Sequence, residues 1–572
     1  MINNFPGRRM FLLLLTAISY ALQAQPVINS FSPQSGKPGT SVTITGNNFI
    51  ANPSKNIVYF GTVKAVISAA TATTLKVTVP AGATTQSLMV LTNHLTGYSA
   101  LPFNVIAAGA GVAKFKPNSF VKVLDLFPGS NPRSVAIGDF NDDGKPDLAV
   151  ANQTSNSVSF FKNTSVGDSI SFAPVVNVPV GSGAFDIAIA DFNGDGALDV
   201  AVTNFNSGNQ STVSLLINTG RNGNISFVTN ASLTYTTGNG SVGIAAGDLN
   251  NDGKVDFAVC SSNSSFFSVF QNSSTSIKNI AFLNRQDYFN FSRPDNLSIA
   301  DLDNNGKQEL ITANTTGASL SLYNNNSSTA NILLQYSNDY STNTWPNNIS
   351  VADLDLDGKA DLTVAGFTVA SVSVLRNLST GAGNVSFAQH IDFPTGSSPE
   401  RSAVMDLDGD GKPEIIIANE ESNTISVLKN LSTPGNIAFA AKADYATAFN
   451  PSCVVTGDLN GDGKPELIVT NNTSGTVSIY KNQIKSQATE NDMLDASSPA
   501  QNELHIYPNP VKDKINIQST VETIYTLRDG SGNIITTQKI NGSGSINISR
   551  LKPGIYYLVN TGTGNSYKIL KN

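Results

Sequence analysis

Histidine and cysteine are nearly missing from this sequence. Its 572 residues include three histidines, two cysteines and one tryptophan, and only 13% of the side chains are charged. His94, His390 and His505 lie far apart, and no His-Glu-x-x-His, Gly-x-Ser-x-Gly or Cys-x-x-Cys motif occurs. The common zinc, serine-hydrolase and thiol chemistries are therefore excluded, and the chain reads as a non-enzyme. Cys260 and Cys453 stand in apolar, strand-like stretches and read as small buried residues, not as a disulfide. Long apolar runs are also lacking. The one such run, at 10–22, follows Arg8 and Arg9 and precedes Ala24-Gln25, which is the pattern of a signal peptide over residues 1–24. It is too short for a confident membrane span, and no later stretch suits a transmembrane helix. The expectation is an exported protein that does not rely on disulfides.

What the chain has in quantity is one acidic stretch, repeated seven times with first aspartates at 139, 191, 248, 301, 353, 406 and 458. Positions 1, 3, 5 and 9 carry oxygen side chains, position 6 is always glycine, and the carbonyl of position 7 can add a ligand. The seven sets are Asp139, Asn141, Asp143, Lys145 and Asp147; Asp191, Asn193, Asp195, Ala197 and Asp199; Asp248, Asn250, Asp252, Lys254 and Asp256; Asp301, Asp303, Asn305, Lys307 and Glu309; Asp353, Asp355, Asp357, Lys359 and Asp361; Asp406, Asp408, Asp410, Lys412 and Glu414; and Asp458, Asn460, Asp462, Lys464 and Glu466. Such sets suit a hard divalent cation, and the expectation is up to seven Ca²⁺, whose charge keeps the carboxylates ionised. An EF-hand is excluded, because position 12 is β-branched in every copy (Val150, Val202, Val259, Thr312, Val364, Ile417, Val469) where a bidentate Glu is needed. The formal charge is −7, but more than half of the 42 acidic residues stand at these loop positions. The acidity thus says little about a basic partner, and no nucleic-acid partner is expected.

Around each loop the chain alternates short apolar runs with turns. One run enters the loop (Val135-Ala-Ile137), one leaves it (Leu148-Ala-Val150), a third ends in asparagine (Val158 to Asn163, Ile425 to Asn430), and a fourth is rich in Phe and Val. Four strands per step of 52–57 residues, without helical periodicity, describe a β-propeller. The array at 114–484 resembles the FG-GAP/VCBS repeat family, the integrin-α type of seven-bladed propeller with calcium in the blade loops. No fourth run follows Asn482, while an extra one (Phe115 to Val123) precedes the first loop, so this N-terminal strand is expected to complete the last blade.

Residues 26–106, with Ile28-Asn-Ser-Phe31-Ser-Pro33, Ile44-Thr-Gly46 and Phe60-Gly61, resemble the IPT/TIG family of immunoglobulin-like domains. That resemblance implies a small β-sandwich acting as a spacer or adhesion module. Residues 107–113 read as a short linker and 485–502 as a polar, flexible one. Residues 503–572, with Tyr507-Pro508-Asn509-Pro510 and Pro553-Gly554-Ile555-Tyr556, resemble the type A sorting domain of the type IX secretion system. The resemblance implies a small β-sandwich as partner of that machinery, and delivery to the outer-membrane surface or the medium. The fold class so read is all-β throughout.

Because the apolar run before each loop ends at the metal, the opposite ends of these strands must share the other face of the ring. Arg133, Phe185, Arg293, Trp345, Glu400 and Arg401 fall there. Trp345, Arg293 and Arg401 are the candidate ligand-binding residues, since an aromatic beside polar groups suits a sugar or a peptide. Trp345 aligns with Asn131, Gly183, Gly240, Arg293, Ser398 and Asn450, so the repeat itself does not require tryptophan. The favoured reading is a secreted calcium-binding adhesion or recognition protein for a glycan or protein ligand. The alternative is a carbohydrate-active enzyme, or its non-catalytic accessory, acting on extracellular polysaccharide.

Overall fold

The computed structural model describes residues 24–109, 111–112, 114–206, 210–290, 292–484 and most of 505–571. The expected signal peptide and the 485–502 linker fall outside the described residues, apart from Ala24. Secondary structure among the described residues is β-strand with two short 3-10 turns. The chain forms two compact units, divided after residue 490.

Within the first unit, seven antiparallel sheets follow one another, here blades 1 to 7 in chain order. Blade 1 is Pro132–Gly138, Asp147–Asn152, Ser157–Phe161 and Val176–Pro179. The innermost strands of successive sheets pack together, and that of blade 7 (Pro451–Gly457) packs on that of blade 1, closing a ring. The second strand of each blade, such as Asp147–Asn152 or Glu414–Asn419, is buried along its whole length. That is why it reads as a continuous apolar run and not as an alternating one. Phe120–Leu126 pairs antiparallel with Thr476–Asn482 and supplies the outer strand of blade 7, so both ends of the repeat array meet in one sheet. No blade edge is left open at the seam.

The ring is held by an asparagine at the end of each third strand. Nδ2 of Asn163, Asn218, Asn272, Asn325, Asn377, Asn430 and Asn482 donates to the position-2 carbonyl of the preceding blade's acidic loop, at 2.8–2.9 Å in all seven cases. In most blades the same group also donates to its own loop, as from Asn272 to the carbonyl of Val255 at 2.9 Å. Most acidic loops are therefore tied both to their own blade and to the next one.

Residues 26–105 form two packed sheets, Val27–Ser32, Ser41–Asn47, Thr74–Thr78 and Val66–Ala70 against Asn56–Phe60, Gln86–Thr92 and Leu95–Val105 with two short edge strands. Ile44, Phe60, Leu75, Val90 and Phe103 lie between them. This sandwich is no free spacer. It lies on the acidic-loop side of the ring and binds the carbonyls of the position-6 glycines. Tyr59 Oη donates to Gly196 at 2.8 Å, Thr96 N to Gly253 at 2.7 Å, Asn104 Nδ2 to Gly411 at 2.8 Å and Ala108 N to Gly463 at 2.6 Å. Lys64 pairs with Asp142 at 2.6 Å. The stretch read as a linker is itself docked, with Gly111 N on the carbonyl of Asp408 at 3.0 Å and Val112 N on its Oδ2 at 2.9 Å.

The second unit has two sheets. One is His505–Tyr507, Lys514–Gln518 and Ser543–Asn547, and the other is Ile534–Ile540, Thr523–Arg528, Gly554–Asn560 and Ser566–Lys571. Ile515, Ile517, Tyr525, Leu527, Ile546, Leu558 and Ile569 make its core.

Asn272 tests the clasp. Replacing it with alanine leaves the carbonyls of Phe192 and Val255 buried without a donor, and about 2–4 kcal/mol of unfolding free energy is expected to be lost. Urea unfolding of Asn272→Ala against the parent measures this. A loss within the few tenths typical of surface substitutions would show that the blades hold together without the clasp.

Candidate functional site

The acidic loops share one hydrogen-bond plan. The position-1 carboxylate accepts the N–H of the position-6 glycine at 2.7–2.9 Å in all seven copies. Position 3 accepts from the N–H of position 5, and position 5 from that of position 7, again in every copy, as in Asp357 N to Asp355 and Lys359 N to Asp357. The position-9 carboxylate accepts the N–H of position 2 at 2.8–3.1 Å. Each glycine has φ between 80° and 85°, a backbone that side-chain-bearing residues rarely adopt. The turn so made aims the oxygens at one another.

Carboxylate oxygens of Asp301, Asp303 and Glu309 lie within 4.8 Å of one another, as do those of Asp353, Asp355 and Asp357, and those of Asp406, Asp408 and Glu414. These are groups that can hold a metal ion. In the last loop, Glu466 is fully buried and its Oε1 lacks a hydrogen bond of normal geometry, an orphan that a cation would satisfy. Burial, reinforced by the neighbouring carboxylates, pushes Asp147, Asp361, Glu309 and Glu466 up to about 8, Asp191 and Asp248 to about 7, and Asp353 and Asp406 to about 6. The protein alone thus raises these pKa values. Lowering them needs the positive charge of an ion.

On the face away from the loops, a cavity of about 260 Å³ is lined by Arg133, Phe185, Arg293, Trp345, Glu400 and Arg401 together. The arginines are not equivalent. Arg401, on blade 6, pairs across the ring with Asp186 of blade 2 at 2.6 Å, and its side chain is mostly buried. It braces the cavity floor. Arg133 pairs with Glu400 at 3.2 Å and covers the Phe185 ring, 4.5 Å from its centroid. Arg293 is bound to Asp295 at 3.1 Å, and its guanidinium stands 5.9 Å from the Trp345 ring.

Trp345 is 40% exposed and has φ 59°. Of the six aligned residues, Asn131, Gly183, Gly240, Ser398 and Asn450 are also left-handed, so the turn favours that backbone and in those blades meets it with small residues or asparagine. A bulky side chain there costs about 1–2 kcal/mol. Asp186 and Asp295 were not singled out from sequence, and the asparagines that end the third runs were read only as part of the repeat pattern, not as contacts between blades. The signal for the two aspartates is an acidic residue at the head of an apolar inner strand, outside any acidic loop.

Residues 26–105 match the IPT/TIG domain, 139–202, 203–259, 301–364 and 406–469 match the FG-GAP-like repeat, and 505–571 match the secretion system C-terminal sorting domain. No curated protein matches the chain. Among solved structures it is similar to an auxiliary nutrient binding protein from Bacteroides thetaiotaomicron, with 12% identity over 80% of this chain and 97% of that one and a TM-score of 0.32. Another is an auxiliary nutrient binding protein from Bacteroides ovatus, with 12% identity, 80% and 98% covered and a TM-score of 0.31. A functionally unknown protein from Desulfotomaculum acetoxidans shares 13% identity over 63% and 96%, with a TM-score of 0.37. At these values the likeness carries nothing about ligand or activity. No helix among the described residues is long and apolar enough to cross a membrane. The chain thus carries, in order, an IPT/TIG domain, FG-GAP-like repeats and a secretion system C-terminal sorting domain, the last of which marks it for secretion.

Proposed function

We propose that this protein is a calcium-binding recognition module of the cell surface or extracellular space, which holds a glycan or protein ligand on the ring face away from the metal loops. One observation carries the reading. The IPT/TIG domain covers the loop side, while the opposite side presents Trp345, exposed and held in a strained backbone beside a cavity. Strain kept at an exposed aromatic points to use by a ligand. The three arginines around it are each held by a carboxylate, so the cavity offers fixed donors and acceptors beside an aromatic face. Arg293 and Trp345 are the residues that meet the ligand, and Arg401 positions the floor beneath them.

Calcium is the ion that the loops suit. It accepts six or more oxygens at flexible angles, whereas magnesium demands a tighter octahedron and keeps its waters. The four side-chain oxygens and one carbonyl of each loop leave room for water. Bound ions offset the burial cost that raises the pKa values of the position-1 and position-9 carboxylates.

Calcium at a hundredfold excess over its dissociation constant is expected to add about 2.7 kcal/mol per filled site, so the melting temperature rises steeply from chelator to millimolar calcium. Thermal melting together with metal counting by native mass spectrometry checks this. A melting point indifferent to chelator would leave the loops as turns only.

Trp345→Asn restores the residue type that the turn prefers. Binding to a glycan or matrix-protein array is expected to weaken by about 1–3 kcal/mol, while the melting temperature holds or rises. Full binding with a lowered melting temperature would assign Trp345 to packing. Removing residues 503–572 should retain the chain in the periplasm of a host with type IX secretion, and fractionation with immunoblotting reads this directly.

A further inference from the structure

One acidic loop differs from the others in what stands among its oxygens. Nζ of Lys429, whose side chain is only 4% exposed, lies 2.6 Å from Asp408 Oδ2, 2.5 Å from Asp410 Oδ2 and 3.4 Å from Glu414 Oε1. These are positions 3, 5 and 9 of the blade-6 loop. Elsewhere a basic side chain touches position 5 alone, as Lys162 does Asp143 at 3.9 Å, Arg221 does Asp195 at 2.9 Å and Arg376 does Asp357 at 3.6 Å.

We infer that the Lys429 ammonium takes the place of the divalent ion in blade 6, so that the protein binds one calcium ion fewer than it has acidic loops. The inference rests on the calcium reading of the remaining loops. Calcium would need the same oxygens at 2.3–2.6 Å, so ammonium and ion exclude each other. Every carboxylate oxygen of this loop already has a donor. Asp406 accepts from the N–H groups of Asp408, Gly409 and Gly411, Asp408 from Asp410 N and Val112 N, Asp410 from Lys412 N, and Glu414 from Leu407 N and Asn430 N, with Lys429 supplying the rest. The aligned oxygen in blade 7, Glu466 Oε1, is the orphan.

The sequence says why only blade 6 does this. The residue before the clasp asparagine must be a lysine, and position 3 must be a carboxylate. Blades 1 and 7 have the lysine but asparagine at position 3, and there Lys162 and Lys481 turn away to the carbonyls of Gly223 at 2.6 Å and Asp168 at 2.7 Å. Blade 5 has Asp355 at position 3 but Arg376 before its asparagine. The consequence is a metal-independent anchor, because Asp408 is also the residue on which Gly111 and Val112 are docked. The joint between the IPT/TIG domain and the ring does not wait for calcium at that point.

Native mass spectrometry of the full chain in calcium, compared with Lys429→Met, tests the inference. One more calcium ion on the variant than on the parent is expected, and the variant should melt lower than the parent in chelator but not in calcium. Equal counts on the two proteins overturn it. If the variant does not fold, acylation of amines on the parent in calcium decides. Lys429 is expected to stay unmodified while exposed Lys76 reacts, and a reactive Lys429 overturns the inference. A parent loaded at every loop refutes this inference and leaves the calcium reading standing, whereas a parent that binds no calcium removes both.

Discussion

The asparagine at the end of each third strand is the contact on which the ring depends. A propeller must solve two problems at once, since each blade has to fix its own loop and find its neighbour. One amide does both, with its N–H groups spanning the loop carbonyls of adjacent blades. Because the receiving carbonyl belongs to position 2 of an acidic loop, the geometry of each loop is coupled to the blade that follows. An ion held in a loop would therefore stiffen the interface as well as the turn. The last link runs from Asn163 to Leu459, across the seam between blades 1 and 7. The ring thus closes by the same bond that joins its other members, with the outer strand Phe120–Leu126 pairing to complete the sheet there.

The IPT/TIG domain exploits a by-product of this design. A left-handed glycine at position 6 turns its carbonyl outward, and a ring of such loops presents a circle of acceptors. The sandwich supplies donors of three kinds to that circle, a phenol from Tyr59, an amide side chain from Asn104 and backbone N–H groups from Thr96 and Ala108. In blades 4 and 5 the glycine carbonyls accept instead from Asn251 and Asn304 of the preceding loops, at 2.9 and 3.4 Å. Domain docking and blade-to-blade contact thus use one acceptor type. These acceptors belong to a repeated backbone, and loop side chains such as Asp142 and Asp408 add further contacts.

Much of this was legible in the sequence, for a physical reason. A repeated metal-type loop imposes fixed spacing, and fixed spacing exposes the strand pattern around it. The closing strand could be read because a missing apolar run at one end matched an extra one at the other. The side-chain cluster around Trp345 followed from strand direction alone. What could not be read was contact across the ring. Arg401 and Asp186 lie 215 positions apart and pair only because blades 6 and 2 face each other over the central space. For the same reason Arg401 reads from sequence as a free ligand group, whereas the folded chain spends its charge inside the cavity wall. The docked IPT/TIG domain was equally hidden, since its donors are scattered side chains such as Tyr59, Lys64 and Asn104 that meet backbone carbonyls or loop carboxylates far away in sequence.

Two demands pull the acidic loops in opposite directions. To cap a tight turn, a carboxylate is best buried against backbone N–H groups, but burial raises its pKa and favours the neutral acid. To stay ionised in that setting it needs a positive charge close by, and either a metal ion or a fixed ammonium meets the need. A metal leaves the loop responsive to its surroundings, whereas an ammonium makes it constant. Blade 6 has the constant arrangement, and its loop is one of the two to which the connecting segment is tied. An anchor for the connecting segment at this loop gains from not depending on ion supply, whereas a loop that held a metal ion would answer to the ion concentration around it.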